Sequence, residues 1–437
     1  MSATLSQCLW QRRCNKYNTS RSTLSNKFSR QVYGDPFFLN RMVLDESLQS
    51  PMNDIVTSLC WSGEGDYLLS GSCSGQLYLW NTFDSTQRRT INSSTGSSES
   101  GPIWLCDLES GHSIATYPCS KASTRLEMNG SDEVLSCSED GIIRQFDLRE
   151  QHRCDPESEC RASMILDYRQ HTTIKGDPVR LQSISIDPFA PHYFAVAGSQ
   201  NYAYLHDRRM QHTSSLVKLF VNKNGTAFSG TSQNELCYGN ICKFSSTESG
   251  SLLVNWSDDD IYLFNIYDDG MSVTATSQGD ESDTTFNVVQ HRRRYTGHLN
   301  PWVNDECVGF YGLDEEYIIS GTDDGMIFLW NRANEKVVQM LTVDRSPITG
   351  IKAHPTLPLL AITGSSSMIK LYTPRSAPSL TSPSTHPFSE SSYATTSHMY
   401  EADILINRNE RLKHGNPSHL FNHLIRNDSD PPPCYIQ

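Results

Sequence analysis

Two pairs of residues in this 437-residue chain have the types and spacing for a strong directional contact: Asp147 with Arg149, and Asp207 with Arg209. In each pair a carboxylate and a guanidinium stand two positions apart. On an extended backbone such residues face the same way. The Asp then holds the Arg, and the planar guanidinium presents its donors and its flat face to whatever lies outside. This is recognition chemistry, and an arginine so placed is a candidate hot spot of an interface. The competing reading is an arginine that only pairs within its own fold.

Templates for covalent or hydrolytic chemistry are absent. There is no G-x-S-x-G elbow, no H-E-x-x-H and no Walker loop. Carboxylate pairs occur at Asp258 and Asp260, Asp268-Asp269 and Asp323-Asp324, but all fall in turn-like stretches where acids serve a hairpin. No catalytic residue is assigned and no enzyme is expected. Cys154 and Cys160 lie near His152, but a zinc site needs two closer pairs, so neither a metal nor another cofactor is expected. The 13 cysteines are odd in number, and Cys60, Cys73, Cys137 and Cys242 sit inside strand-like runs. That pattern reads as buried thiols in a reducing compartment, not as a disulfide framework.

The elements that would position the Asp–Arg pairs come from an internal repeat. Residues 68–81, 134–147, 252–265 and 318–331 share one pattern. Two apolar residues lead into small ones, then a turn rich in Asp, Gly and Ser, then alternating apolar positions that end on an aromatic followed by Asp or Asn. Residues 194–207 and 360–373 are weaker copies. Period-two alternation on each side of the turn makes each half a strand, and the Asp/Gly centre suits a tight hairpin. A further alternating strand precedes most copies, as in 56–61, 181–186, 240–244, 306–310 and 348–353. Three to four short strands per unit is a propeller blade. The anchors are Trp80, Phe146, His206, Phe264, Trp330 and Tyr372, and a partial copy at 101–111 aligns Asp107 with the terminal Asp. Seven units then span 53–374, at roughly 46 residues each against about 40–45 for such repeats. The second is short: the stretch 83–101 is Ser/Thr-rich and leaves little room for inner strands.

Residues 1–41 carry seven Lys or Arg and one acid, Asp35, while the remainder carries 29 bases and 48 acids. An acidic body with a basic arm disfavours nucleic acid as the partner of the body. The domain reading is a basic disordered or helical arm at 1–38, a propeller at 39–374, and a Ser/Pro-rich tail at 375–437 with a short helix near 401–412. Residues 39–48 suit either a strand or a helix. The stretch 268–286 reads as an acidic, solvated loop. No run of 18 apolar residues exists, so no membrane-spanning helix is expected. No apolar block of a secretory signal opens the chain. The expected location is nuclear or cytoplasmic, not secreted.

The units resemble WD40 repeats, on Gly297-His298, the turn acid Asp324 and Trp330-Asn331. The resemblance implies an all-β, seven-bladed WD40 β-propeller with a truncated second blade. It also implies structural roles for His298, Asp324 and Trp330, with Asp140 and Asp258 in the same turn place, Ser74 and Ser366 substituting there, and Trp80 and Phe146 as anchors. Within that family, residues 134–149 resemble the DWD box, or WDxR motif, of substrate receptors for cullin-4 RING ubiquitin ligases. The matching positions are Val134, Leu135, Ser136, Cys137, Ser138, Asp140, Ile143, Phe146, Asp147 and Arg149, with Phe146 in place of the usual Trp. The next unit ends on a second such box, Asp207-Arg208-Arg209, with Gln200 at the turn acid and His206 at the Trp. Residues 292–332 and 348–374 are similar to blades of the DDB-and-cullin-associated factors six and eight. The resemblance implies that Asp147, Arg149, Asp207 and Arg209 bind the ligase adaptor, damage-specific DNA-binding protein 1, and through it cullin-4, while another surface captures a protein target. A general WD40 scaffold for some other complex is the alternative.

Overall fold

A computed structural model describes residues 33–82 (except 52), 84, 88–91, 103–106, 113–117, 123–150 (except 131), 163–169, 179–210, 216–222, 238–275, 284–299, 305–374, 406, 407 and 409. Nearly all of them are strand or tight turn. Blade A comprises the strands Val56–Trp61, Tyr67–Ser72, Leu77–Asn81 and Arg88–Ile91. Blade B comprises Ser123–Asn129, Glu133–Ser138, Ile142–Asp147 and Met164–Asp167; blade C is built on Leu181–Ile186, Tyr193–Gly198, Tyr202–Asp207 and Leu216–Val221. Blade D comprises Gly239–Phe244, Ser251–Trp256, Ile261–Asn265 and Arg293–Tyr295; blade E comprises Val308–Tyr311, Tyr317–Gly321, Met326–Asn331 and Val337–Thr342. Blade F mixes the two ends of the ring. Met42–Gln49 pairs antiparallel with Met368–Pro374, outside Leu360–Gly364 and Ile348–Ala353. The open choice for residues 39–48 thus resolves as strand, preceded by one helical turn, Pro36–Leu39, whose N-cap Asp35 accepts from Phe37 N at 2.8 Å.

The ring has six blades among the described residues, not the expected seven. Where the second unit was expected, the described residues form a two-stranded hairpin, Ile103–Cys106 with Ser113–Tyr117. The reason is chain length. Blade A takes residues 88–91 as its fourth strand, and what remains before Ser123 is shorter than the 40 or so residues a blade requires. Asp107, aligned there with the terminal Asp of the repeat, lies outside the described residues.

The stretch 268–286 also departs from its expected form. Met271–Ala275 and Thr284–Val289 pair as a hairpin, and the second of them lies parallel to Leu216–Val221, with Leu219 opposite Val288. An insertion between the third and fourth strands of blade D thus crosses back to make blade C six-stranded.

Burial follows from face-to-face stacking. A strand with one solvated face alternates, but Ser251–Trp256, Ile261–Asn265 and Tyr317–Gly321 are buried at every position, because the middle of a blade has a neighbouring blade on each face. The largest apolar cluster joins blades D, E and F and takes in Tyr33, Leu39 and Met42. In five of the six blades the innermost strand breaks register near its start, as between Leu181 and Ser183 or Ile348 and Gly350. Such bulges add local twist.

Charged side chains stitch blades together. The Glu306 carboxylate accepts from Leu59 N of blade A at 3.2 Å and pairs with Arg125 of blade B at 3.2 Å and Lys352 of blade F at 3.8 Å. From the tail, Asn409 Nδ2 donates to the Gly297 carbonyl at 2.9 Å, and Ile406 packs on the same glycine. Gly297 has φ +99°, and a Cβ there would stand 2.6 Å from Ile406 Cγ1, so this docking requires glycine. Among the described residues no helix is long and apolar enough to cross a membrane.

Candidate functional site

Asp147 closes the third strand of blade B, and the chain turns at once: Leu148 N donates to Asp132 O at 2.6 Å and Glu150 N to Asp147 O at 3.2 Å. The turn brings Arg149 back onto the carboxylate. Arg149 N and Nε both reach Asp147 Oδ1 at 2.9 Å, and Nη2 reaches Oδ2 at 2.6 Å. Asp132 lies 3.6 Å from Nη1. The arginine is clamped bidentately yet 65% of its side chain stays exposed. The hydrogen bond from the Arg149 side chain, then that from its backbone, draws the Asp147 carboxyl down to about 2, and the pairing pushes the Arg149 pKa up.

The second pair repeats this geometry one blade on. Arg209 N and Nε reach Asp207 Oδ1 at 3.0 Å and Nη2 reaches Oδ2 at 2.6 Å. Asp207 is buried and Arg209 is 63% exposed. The Arg209 side-chain hydrogen bond again lowers the carboxyl pKa. The two clamps share one rim. Asp147 stands opposite Glu133 across the blade B ladder, and Arg208, between Asp207 and Arg209, reaches back to Glu133 Oε2 at 2.8 Å. That contact, with help from Asn129, lowers the Glu133 pKa.

A third clamp was missed in the sequence. Arg169 N and Nε reach Asp167 Oδ1 at 2.9 Å and Nη2 reaches Oδ2 at 2.6 Å, with 42% of the arginine side chain exposed. The same Asp-x-Arg spacing was its signal. It ends the fourth strand of blade B, where Asp167 pairs with Ile142, the start of the strand that Asp147 ends. Arg169 is therefore on the opposite rim.

The other singled-out residues lie inside the ring or at its turns. Trp80 Nε1 donates to Ser70 Oγ at 2.9 Å, and Trp330 Nε1 donates to the Thr296 carbonyl at 2.9 Å. His298 is fully buried, edge-on to the Trp330 ring at 5.5 Å, with Nε2 3.3 Å from Asn255 Oδ1 of blade D. Asp324 bonds the Thr322 hydroxyl. Asp140 bonds the Ser138 hydroxyl, takes Ile142 N at 2.9 Å and pairs with Arg144 at 3.0 Å. Phe146 is buried. Asp258 adopts φ 55° in its turn, while the next residue, Asp259, accepts from Tyr262 and Asn222 at 3.0 Å each. In the place of the turn acid, Ser74 Oγ lies 3.2 Å from Ser72 Oγ, and Ser366 Oγ takes Met368 N at 3.4 Å. Among the described residues no cluster of His, Cys, Asp and Glu is arranged to hold a metal ion. Cys154, Cys160 and His152 lie outside them.

The WD40 family model, "WD domain, G-beta repeat", matches residues 46–81 and 289–331. WD repeat protein iqw1 of Schizosaccharomyces pombe is 28% identical over 304 residues, 57% of this chain and 35% of that protein. DDB1- and CUL4-associated factor 6 of Homo sapiens is 27% identical over 282 residues, 56% of this chain and 30% of that protein. Protein ALTERED SEED GERMINATION 2 of Arabidopsis thaliana is 32% identical over 135 residues, 30% of this chain and 18% of that protein. The chain spans about a third of the length of the first two. The crystal structure of the Myceliophteria thermophila Cps50 (Swd1) β-propeller domain superposes with a TM-score of 0.54 at 14% identity, over 76% of this chain and 99% of that one, which speaks to fold alone. The chain is a β-propeller that carries WD40 repeats and is similar to DDB1- and CUL4-associated factor 6.

Proposed function

We propose that the chain is a substrate receptor that links a target protein to a cullin-4 RING ubiquitin ligase, docking to the DDB1 adaptor through Arg149 and Arg209. The observation that carries this reading is the pair of adjacent clamps: two arginines on neighbouring blades, on one rim, each fixed by its own Asp and each mostly exposed. A clamped guanidinium has little side-chain freedom left to lose on binding, which is what a preformed anchor requires. In this reading the protein is not an enzyme, needs no cofactor, and works in the nucleus or cytoplasm where the ligase is. The alternative is a general WD40 scaffold, favoured by the internal salt bridges that Arg149 makes to Asp147 and Asp132.

The test is a pull-down of the tagged chain from its own cells, wild type beside Arg149→Ala/Arg209→Ala, probed for the adaptor. Wild type is expected to retain it and the double variant to lose at least about tenfold, the scale of interface hot spots. Arg169→Ala, which removes the same clamp from the other rim, should bind as wild type does. A folded wild-type chain that brings down no adaptor would leave the scaffold reading.

A further inference from the structure

The rim that carries Arg149 and Arg209 is unevenly covered. In an antiparallel blade the turn between strands one and two and the turn between strands three and four lie at the same end. On blades E and F that end is occupied by the chain itself. Tyr33 is buried there, its hydroxyl donates to the His354 carbonyl at 2.7 Å, and its ring lies 5.1 Å from Tyr311. Tyr317 OH donates to Gly34 O at 2.7 Å.

On blades C and D, among the described residues, the same rim exposes three large apolar side chains beside polar turn residues such as Ser246, Thr247 and Glu248. Phe189, in the first turn of blade C, is 52% exposed; Met210, in its second turn, is 48% exposed; Tyr267, in the second turn of blade D, is 54% exposed. The three are structurally joined. Arg208 N bonds His192 O at 2.9 Å, tying the two turns of blade C, and Met210 N bonds Asp207 O at 3.1 Å beside the Arg209 clamp. Lys218 Nζ of blade C reaches the carbonyls of Ile266 and Asp268 at 2.8 and 2.6 Å, tying the Tyr267 turn to blade C. Single exposed apolar residues are ordinary on a surface. Large ones on successive linked turns, beside fixed arginines, mark an interaction site.

We infer that Phe189, Met210 and Tyr267 are the apolar anchors of the adaptor interface, and that its footprint runs from Arg149 across blades C and D, away from the rim that residues 33–40 cover on blades E and F. This rests on the receptor reading above. The occupant follows from continuity: Met210 adjoins Arg209 in sequence and in the same turn, so a partner that engages Arg209 covers Met210. The arginines fix orientation. Each is already paired with its own aspartate, and exposed ion pairs bind weakly; the three apolar side chains supply the desolvation that gives affinity.

The experiment is a titration of purified full-length chain against purified DDB1-type adaptor by biolayer interferometry. The variants are Phe189→Ser/Met210→Ser/Tyr267→Ser, and Tyr67→Ser, which removes an exposed ring from the same rim on blade A. The triple variant should bind at least about a hundredfold more weakly, roughly tenfold for each of two or more anchors lost, with an unchanged melting temperature because all three are exposed; Tyr67→Ser should bind as wild type does. A triple variant within threefold of wild type overturns the inference and leaves the receptor reading intact. Equal loss in Tyr67→Ser overturns the placement of the footprint on blades C and D. A wild-type chain that does not bind the adaptor overturns the receptor reading, and this inference with it.

Discussion

Replacing Glu315 tests how the blades are held together. This residue lies in the first turn of blade E at φ 54°, a left-handed conformation in which glycine is the ordinary occupant. Its side chain accounts for its presence. The carboxylate crosses to blade D, accepting from Ser246 N and Oγ at 2.7 Å each, from Thr247 Oγ1 at 3.1 Å and from the buried Ser245 hydroxyl, with Arg332 Nη1 at 3.4 Å. Ser246 and Thr247 are exposed, so water replaces their bonds when the carboxylate is removed. Ser245 is buried and loses a charge-assisted bond, at about 1.5–3 kcal/mol. Arg332 keeps Glu248 and its place over the Phe310 ring. Glu315→Ala should therefore cost about 3 kcal/mol. A propeller of this size unfolds with an entropy on the order of 0.6 kcal/mol/K, so the melting temperature should fall by about 5 °C.

The backbone makes the test sharper. Glu and Ala both carry a Cβ, so Glu315→Ala keeps the left-handed cost, whereas Glu315→Gly removes it and should recover about 1 kcal/mol. The expected order of melting temperatures in calorimetry is wild type, then Glu315→Gly, then Glu315→Ala. An alanine variant within 1 °C of wild type, or a glycine variant below the alanine one, would refute the reasoning.

Two further outcomes follow from the ring contacts. His354 is held neutral: burial lowers its pKa, Nε2 donates to the Gly65 carbonyl at 3.0 Å, and Nδ1 accepts from Thr356 N at 3.1 Å and Leu357 N at 3.0 Å. The folded-state value lies below the unfolded one near 6.5, so this stability is complete above about pH 6.5 and is lost as pH falls through the folded-state value; urea midpoints at pH 7.5 and 5.5 should diverge less in His354→Gln than in wild type, and His291, also shifted down by burial, contributes to the slope that remains. Glu306→Ala should cost about 2 kcal/mol by releasing partly buried partners on three blades, and a double-mutant cycle with Arg125→Ala should return a coupling of about 1 kcal/mol.

Local pattern was legible and distant pairing was not. The hairpins at 68–81, 134–147, 252–265 and 318–331 could be read because alternation and a turn occupy one short window, and the Asp-x-Arg pairs because both residues lie on one turn. Arg169 was missed because the repeat template ended on the aromatic and Asp of a third strand, and Met164–Asp167 is a fourth strand with no aromatic. The parallel pairing of Thr284–Val289 with Leu216–Val221 joins segments dozens of residues apart, and the acids and serines between its own hairpin strands read as solvated chain. Glu306 and Glu315 show no local signal at all, since each is defined by partners on other blades. Counting seven units failed at the one place where the chain is too short to supply the strands.

The three clamps separate motif from site. Asp147–Arg149, Asp207–Arg209 and Asp167–Arg169 make the same three hydrogen bonds within 0.1 Å of one another. If the clamp alone made an arginine a docking anchor, all three would be equivalent. Their surroundings differ. Arg149 and Arg209 share a rim, are joined through Glu133 and Arg208, and lead onto Met210 and Phe189. Arg169 lies at the other end of blade B, against the turn that holds Glu139, Asp140 and Gly141. The clamp is a local device that three residues of chain suffice to encode. On the receptor reading, what would make one of these arginines a docking anchor is which rim the strand polarity delivers it to and which side chains the neighbouring blade sets beside it.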